Sequence, residues 1–105
     1  MSEKYLQWLK SLIAKNDLSD FYTSGKWKRL ASNILKTQGE CQICKSNHRY
    51  GKAEIAHHVN TVRQHPELAL SELAPDGSKN IIAVCRDCHA RIHSGLKGYA
   101  NPERW

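Results

Sequence analysis

At 105 residues, with sixteen Lys and Arg against ten Asp and Glu for a formal charge of +6, the chain reads as one small, basic domain. So short a chain buries a modest core, and a metal or another staple is an expected part of the fold. The charge points to nucleic acid before an anionic membrane surface, and no stretch approaches the ~20 apolar residues of a membrane span.

The opening "MSEKYLQWLKSLIAKN" carries Lys10 and Lys15 where the apolar core of an export signal would run. A cytoplasmic setting is therefore expected, in which four cysteines are metal ligands before they are disulfides. Within that opening, Tyr5, Leu6, Leu9, Leu12 and Ile13 recur at helical spacing, with Lys4, Gln7 and Lys10 off the stripe. Ser19 and Asp20 offer a second helix start. Trp27, Leu30, Ala31, Ile34 and Leu35 continue it at i, i+3, i+4, i+7 and i+8, and Gly39 offers a stop. Residues 1–38 are thus predicted to be two amphipathic helices, with Tyr5, Trp8, Phe21, Tyr22 and Trp27 as packing residues.

Beyond Gly39 the texture changes. "CQICKSNHRYG" predicts a tight cysteine knuckle with a turn at Asn47–Gly51, and "AEIAHHV" has strand character ending at a histidine pair. Residues 60–79 form a polar connection in which Pro66 opens a short helix and Leu68, Leu70 and Leu73 pack inward. "NIIAVC", residues 80–85, suits a buried strand, and a helix runs from Arg86 to about Gly95. The tail "LKGYANPERW" reads as irregular.

The stretch "VCRDCHARIH", residues 84–93, admits three chemistries. Cys85, Cys88 and His89 spell C-x-x-C-H, the pattern of covalent haem attachment; the cysteines alone spell a redox dithiol or half of a zinc site. Haem attachment fits poorly with a chain that is not exported. Cys41-Gln-Ile-Cys44 and Cys85-Arg-Asp-Cys88 together supply four thiolates, the closed tetrahedral set of a structural zinc. His89 and His93 are then left for another duty. Four residues apart on a helix, they project from one face and can converge on a second ion, with His57 or His58 completing the site. Three neutral nitrogens and an open position describe a catalytic metal.

At these residues the chain resembles the HNH endonuclease family, whose core is a β-hairpin and a helix around one metal (the ββα-metal or His-Me finger). The resemblance rests on "AHHV" at 56–59, Asn80 in "NIIAVC" and "CRDCHARIH" at 85–93. The two C-x-x-C pairs look like its zinc-knuckle subgroup of phage and bacterial members, and "FYTSGKWKRLASNIL" is similar to the helix that precedes the first knuckle. It implies a small α+β fold: an N-terminal helical segment (1–38), a ββα-metal core with a four-cysteine zinc site (39–96) and an irregular tail (97–105). It implies His57, His89 and His93 as ligands of the catalytic ion, His58 as general base, and Asn80 as the brace of the loop between the strands. Many members carry Asp-His where this chain has His57–His58. A three-histidine site shifts metal preference toward Mn, Ni, Co or Zn and away from Mg. The implied partner is DNA in a bacterial or phage-infected cell, with a phage terminase or packaging machine a further partner.

Adjacent residues of a regular strand face opposite sides, so His57 and His58 serve one centre only where the chain leaves the pleat. For DNA backbone contacts the candidates are Lys26, Lys28, Arg29, Arg63, Lys79, Arg86 and Lys97, which would position a duplex without reading its sequence. A zinc-containing module that binds nucleic acid without cutting it is the alternative.

Overall fold

The computed structural model describes residues 1–94. Lys97, the Gly95 stop and the tail lie outside the described residues, as does the side chain of His93. Five helices, one 3-10 turn and a two-stranded antiparallel sheet make up the described chain. No helix among the described residues is long and apolar enough to cross a membrane.

Helix α1, Glu3–Ala14, starts where the Ser2 hydroxyl accepts the Tyr5 amide, an N-cap that satisfies one of the helix's unpaired donors. The predicted second helix is in fact two. A four-residue turn, α2 (Ser19–Tyr22), ends at Thr23, and α3 (Gly25–Gln38) begins anew. Ser24 causes the break. In extended conformation, its Oγ accepts the Trp27 amide and donates to the Phe21 carbonyl, closing one helix and capping the next. Helix α3 ends at Gly39, whose φ of 79° is the left-handed conformation that glycine adopts at least cost.

The first knuckle forms α4, Gln42–Ser46, and the chain then turns back so that Cys41 donates its amide to the Gly51 carbonyl at 2.7 Å. Strand β1 is Ile55–His58 and β2 is Ile81–Val84, paired Ile55 with Val84 through His58 with Ile81. Helix α5, Arg86–Ser94, follows at once. Between the strands, Pro66–Leu68 is the 3-10 turn.

The hairpin separates two cores. On one face, Ala56 and Ile81 join Leu9, Leu12, Leu18, Phe21, Trp27, Ala31, Ile34, Val62 and Ala69. On the other, Ile55, Ile82 and Val84 pack with the four cysteines and Ile43. Burying each large side chain of the first core contributes about 1.5–3 kcal/mol. Two expected core residues lie elsewhere: Trp8 is 37% exposed beside Tyr5, and Leu73 is 53% exposed, in an isolated bridge with Lys79. Val62, Pro66 and Ala69 are the buried residues of the connection.

The outer edge of β2 is covered by one side chain. Gln38 Nε2 donates to the Ile81 carbonyl at 3.0 Å, and its Oε1 accepts the Ala83 amide at 2.7 Å. The amide thus takes the place of a third strand.

Candidate metal centres

The two knuckles meet. The four sulfur atoms of Cys41, Cys44, Cys85 and Cys88 lie within 4.8 Å of one another, with Cys44 Sγ 3.9 Å from Cys85 Sγ and 3.7 Å from Cys88 Sγ. A tetrahedral zinc with bonds of about 2.3 Å separates its sulfurs by roughly 3.8 Å, so the set fits that ion. Each knuckle also turns an amide onto its first sulfur, Cys44 N to Cys41 Sγ and Cys88 N to Cys85 Sγ, both at 3.4 Å.

The electrostatics favour a cation. Burial opposes ionisation of Cys41, but backbone amides from Cys44 and Cys85 outweigh it and bring that thiol to about 7. Burial, with the neighbouring sulfurs, pushes Cys88 up strongly. One thiolate forms readily and the next resist it, which a bound dication relieves. Gly51 belongs to this centre: a Cβ there would stand 2.7 Å from Cys44 Sγ and 3.0 Å from Cys41 Cβ.

The histidines divide between the two faces of the hairpin. Strand β1 stays in register through His58, and the Val59 amide still donates to the Asn80 carbonyl. His57 therefore faces the side of Ile55 and Ile82 and meets His89 of α5, ring centroids 5.8 Å apart at 75°. Two imidazoles sharing one ion at about 2.1 Å place their centroids roughly 5–6 Å apart, so this pair fits a common metal. The α5 backbone carries His93 one turn beyond His89.

His58 goes the other way. It is 4% exposed, stacked on Trp27 with centroids 4.6 Å apart, and flanked by Phe21 and Tyr22. Its Nε2 lies 2.8 Å from the Ala69 carbonyl, which can only accept, so Nε2 carries the proton and Nδ1 the lone pair. Burial, partly offset by that carbonyl, lowers its pKa to about 4. The expected departure from the pleat at the histidine pair is absent, and His58 does not join His57 and His89. The ladder keeps them apart, since alternation holds as long as pairing does.

No protein-family model matches the sequence, and no curated protein matches it. Among solved structures, the HNH endonuclease of the deep-sea thermophilic bacteriophage GVE2, determined with manganese, superposes with a TM-score of 0.59 at 22% identity, over 87% of this chain and 89% of that one. The chain has the HNH endonuclease fold.

Within that fold Asn80 is wholly buried, and every polar atom of its side chain is engaged. Its Nδ2 donates to the Leu68 and Ser71 carbonyls at 2.8 and 2.9 Å; its Oδ1 accepts from Asn60 Nδ2 at 2.8 Å and Asn60 N at 3.3 Å. The start and the middle of the connection are thus tied to the residue just before β2, and the bonded carbonyls flank Ala69, whose own carbonyl meets His58.

The proposed backbone-binding cations are dispersed. Lys26 Nζ sits 4.8 Å over the Tyr5 ring, and Lys28 and Arg29 are exposed on α3. Lys79 donates to Gln42 Oε1 at 3.2 Å, and Arg86 pairs with Glu54 at 3.3 Å while its side chain stays exposed. Arg63 is half-buried in the connection. Sequence reasoning missed Gln38, whose partners on β2 lie 43 and 45 residues away, and read Gly51 only as the end of a turn.

Proposed function

We propose that the protein is a metal-dependent endonuclease of the HNH family that hydrolyses DNA phosphodiester bonds. The observation that carries this reading is the His57–His89 approach across hairpin and helix, in a fold shared with a manganese-bound HNH endonuclease. His57, His89 and His93 are the proposed ligands of the catalytic ion, one of Mn, Ni, Co, Zn or Mg. Cys41, Cys44, Cys85 and Cys88 are the proposed ligands of a structural zinc. An ion on the histidines would neutralise a phosphate oxygen and the developing 3′-oxyanion.

His58 is the proposed base. Its low pKa keeps the ring neutral at cytosolic pH, and the Ala69 carbonyl leaves Nδ1 without the proton; because the ring lies on the face opposite His57, the role requires it to leave the Trp27 stack. Asn80 acts at one remove, by holding the carbonyls on either side of Ala69. Lys26, Lys28, Arg29, Arg63, Lys79, Arg86 and Lys97 are offered as backbone contacts. Association with a phage terminase or packaging machine is proposed from the family resemblance alone, and co-purification with the large terminase subunit tests it.

One observation favours the second reading, a zinc-containing module that binds nucleic acid without cutting it: His58 is turned into the aromatic core, away from His57. Nicking of supercoiled plasmid in Mg, Mn, Ni, Co and Zn separates the two. The nuclease reading expects metal-dependent nicking that His57→Ala and His89→Ala abolish and His58→Ala reduces by a factor of at least about 100. Full cleavage by folded His58→Ala protein would remove the base. No cleavage in any metal, by protein that retains one zinc per chain, favours the binding module.

A further inference from the structure

The knuckle turn carries exposed side chains that are not among the proposed ligands of either metal centre. From Cys41 to Ala53 there is no acidic residue, while Lys45, Arg49 and Lys52 are basic and Tyr50 stands between the last two. Tyr50 is 73% exposed, an unusual placement for a large aromatic ring. The turn that presents it is well held: His48 is left-handed at φ 59°, the Arg49 amide donates to the Cys44 carbonyl, and Gly51 is pinned to Cys41.

Beside the cysteines this turn borders a cleft of about 320 Å³. Arg49, Tyr50 and Lys52 of the turn line it together with Arg91 of α5, Glu54 and Asp87, and three of the cysteines, Cys44, Cys85 and Cys88, also reach it. Glu54 is already engaged by Arg86. Three cations line the cleft (Arg49, Lys52 and Arg91) against two carboxylates, one of them already paired. Cations along a groove with an exposed ring at its lip are the arrangement that holds unpaired nucleic acid: the cations follow the backbone, and the ring stacks on a base of any sequence.

The geometry points to the knuckle cleft as a binding site for an unpaired DNA strand, with Tyr50 stacking on a base and Arg49, Lys52 and Arg91 holding its phosphates. Arg91 lies two positions beyond His89, which turns it to the far side of α5 from that histidine. The cleft is thus a second DNA contact, outside the histidine centre. It rests on the reading of the chain as a DNA-acting protein but not on catalysis.

Fluorescence anisotropy tests it, using the zinc-loaded full chain without added second metal, a labelled single-stranded oligonucleotide and the blunt duplex of the same sequence. Tyr50→Ala should weaken single-strand binding about tenfold and blunt-duplex binding far less. Replacing Arg49, Lys52 and Arg91 together with Gln should flatten the slope of log K against log salt by about 2 for the single strand. Lys10→Gln, on the outer face of α1, should leave the single-strand affinity within about threefold, since a remote cation contributes only general attraction. Should the triple variant lose its zinc, Tyr50→Ala decides, because its exposed ring is not part of the sulfur cluster. Unchanged single-strand affinity for Tyr50→Ala, or equal losses on both DNAs, overturns the proposal. Absence of single-strand binding by the unaltered chain does so too. Plasmid left uncut while these shifts appear refutes the nuclease and leaves the cleft standing; plasmid cut without the shifts does the reverse.

Discussion

Replacing Asn80 is the sharpest test of how the connection between the strands is held. Its side chain makes three hydrogen bonds of 2.8–2.9 Å and one of 3.3 Å, all in a site with no exposure. At about 1 kcal/mol net for each bond, with more for carbonyls left buried and unpaired, Asn80→Ala should cost about 3–5 kcal/mol. That is a large share of the 5–15 kcal/mol typical of a small domain. Asn80→Asp keeps the shape but loses both Nδ2 donors, turning an oxygen toward the Leu68 and Ser71 carbonyls. Such a buried carboxyl stays protonated well above its usual pKa near 3.9 and restores one donor while it does. The folded state then holds a proton that the unfolded state releases, so this variant should lose further stability as pH rises from about 4 toward neutrality. Urea unfolding followed by circular dichroism measures both costs, and hydrogen exchange across residues 60–79 should quicken before the hairpin opens. A loss below about 1 kcal/mol for Asn80→Ala, with exchange in the connection unchanged, would refute the bracing argument.

Gly51→Ala places a methyl group 2.7 Å from Cys44 Sγ, so the purified protein should hold well under one zinc per chain and melt lower; full zinc content by atomic emission would contradict the close approach. Gln38→Ala uncovers two backbone groups of β2 and should cost about 2–3 kcal/mol in urea unfolding, whereas a change within 0.5 kcal/mol (the usual range for surface sites) would mean that water replaces the amide freely. His58 should make the fold acid-sensitive. With its pKa lowered from 6.5 to about 4 by burial, the unfolded state binds the proton first, so its contribution is present above pH 6.5 and lost as pH falls toward 4, about 3 kcal/mol in all. His58→Gln should flatten stability between pH 6.5 and 4, and a slope equal to that of the parent chain would show that other groups set it.

What the sequence made legible was local. The C-x-x-C knuckles, the stripe of Trp27, Ala31 and Ile34, and the strand "NIIAV" each depend on neighbours within a few residues. The split between α2 and α3 was open to reading as well, since Ser24 before Gly25 is an N-cap signal, but the apolar period runs past it. Gln38 was out of reach because its partners on β2 lie 43 and 45 residues away. The pair His57–His58 shows a different limit. Alternation says that the two rings diverge if pairing continues, and whether it continues depends on Ile81 and Asn80, on the other strand. Residue types pointed to the chemistry proposed for the two centres; long-range pairing decided which face His57 and His58 take.

The nearness of the two centres has a physical use. The nine described residues of helix α5 are too few to hold their place by intrinsic helicity. Its first turn is anchored by Cys85 and Cys88 in the sulfur cluster, by the His89 amide on the Cys85 carbonyl at 3.0 Å, and by Arg86 on Glu54. His89 follows Cys88 directly, so its ring inherits the position of the last sulfur. On the opposite wall, Ile55 packs into the same cluster two residues before His57. A metal on the sulfurs thus ties together the two backbone segments that carry His57 and His89. Without it, α5 would be held mainly by the few side chains around Val84, whereas β1 stays paired with β2 and packed through Ala56 on the first core. On the proposed reading, the C-x-x-C-H spelling sets a ligand directly after the structural anchor that would aim it.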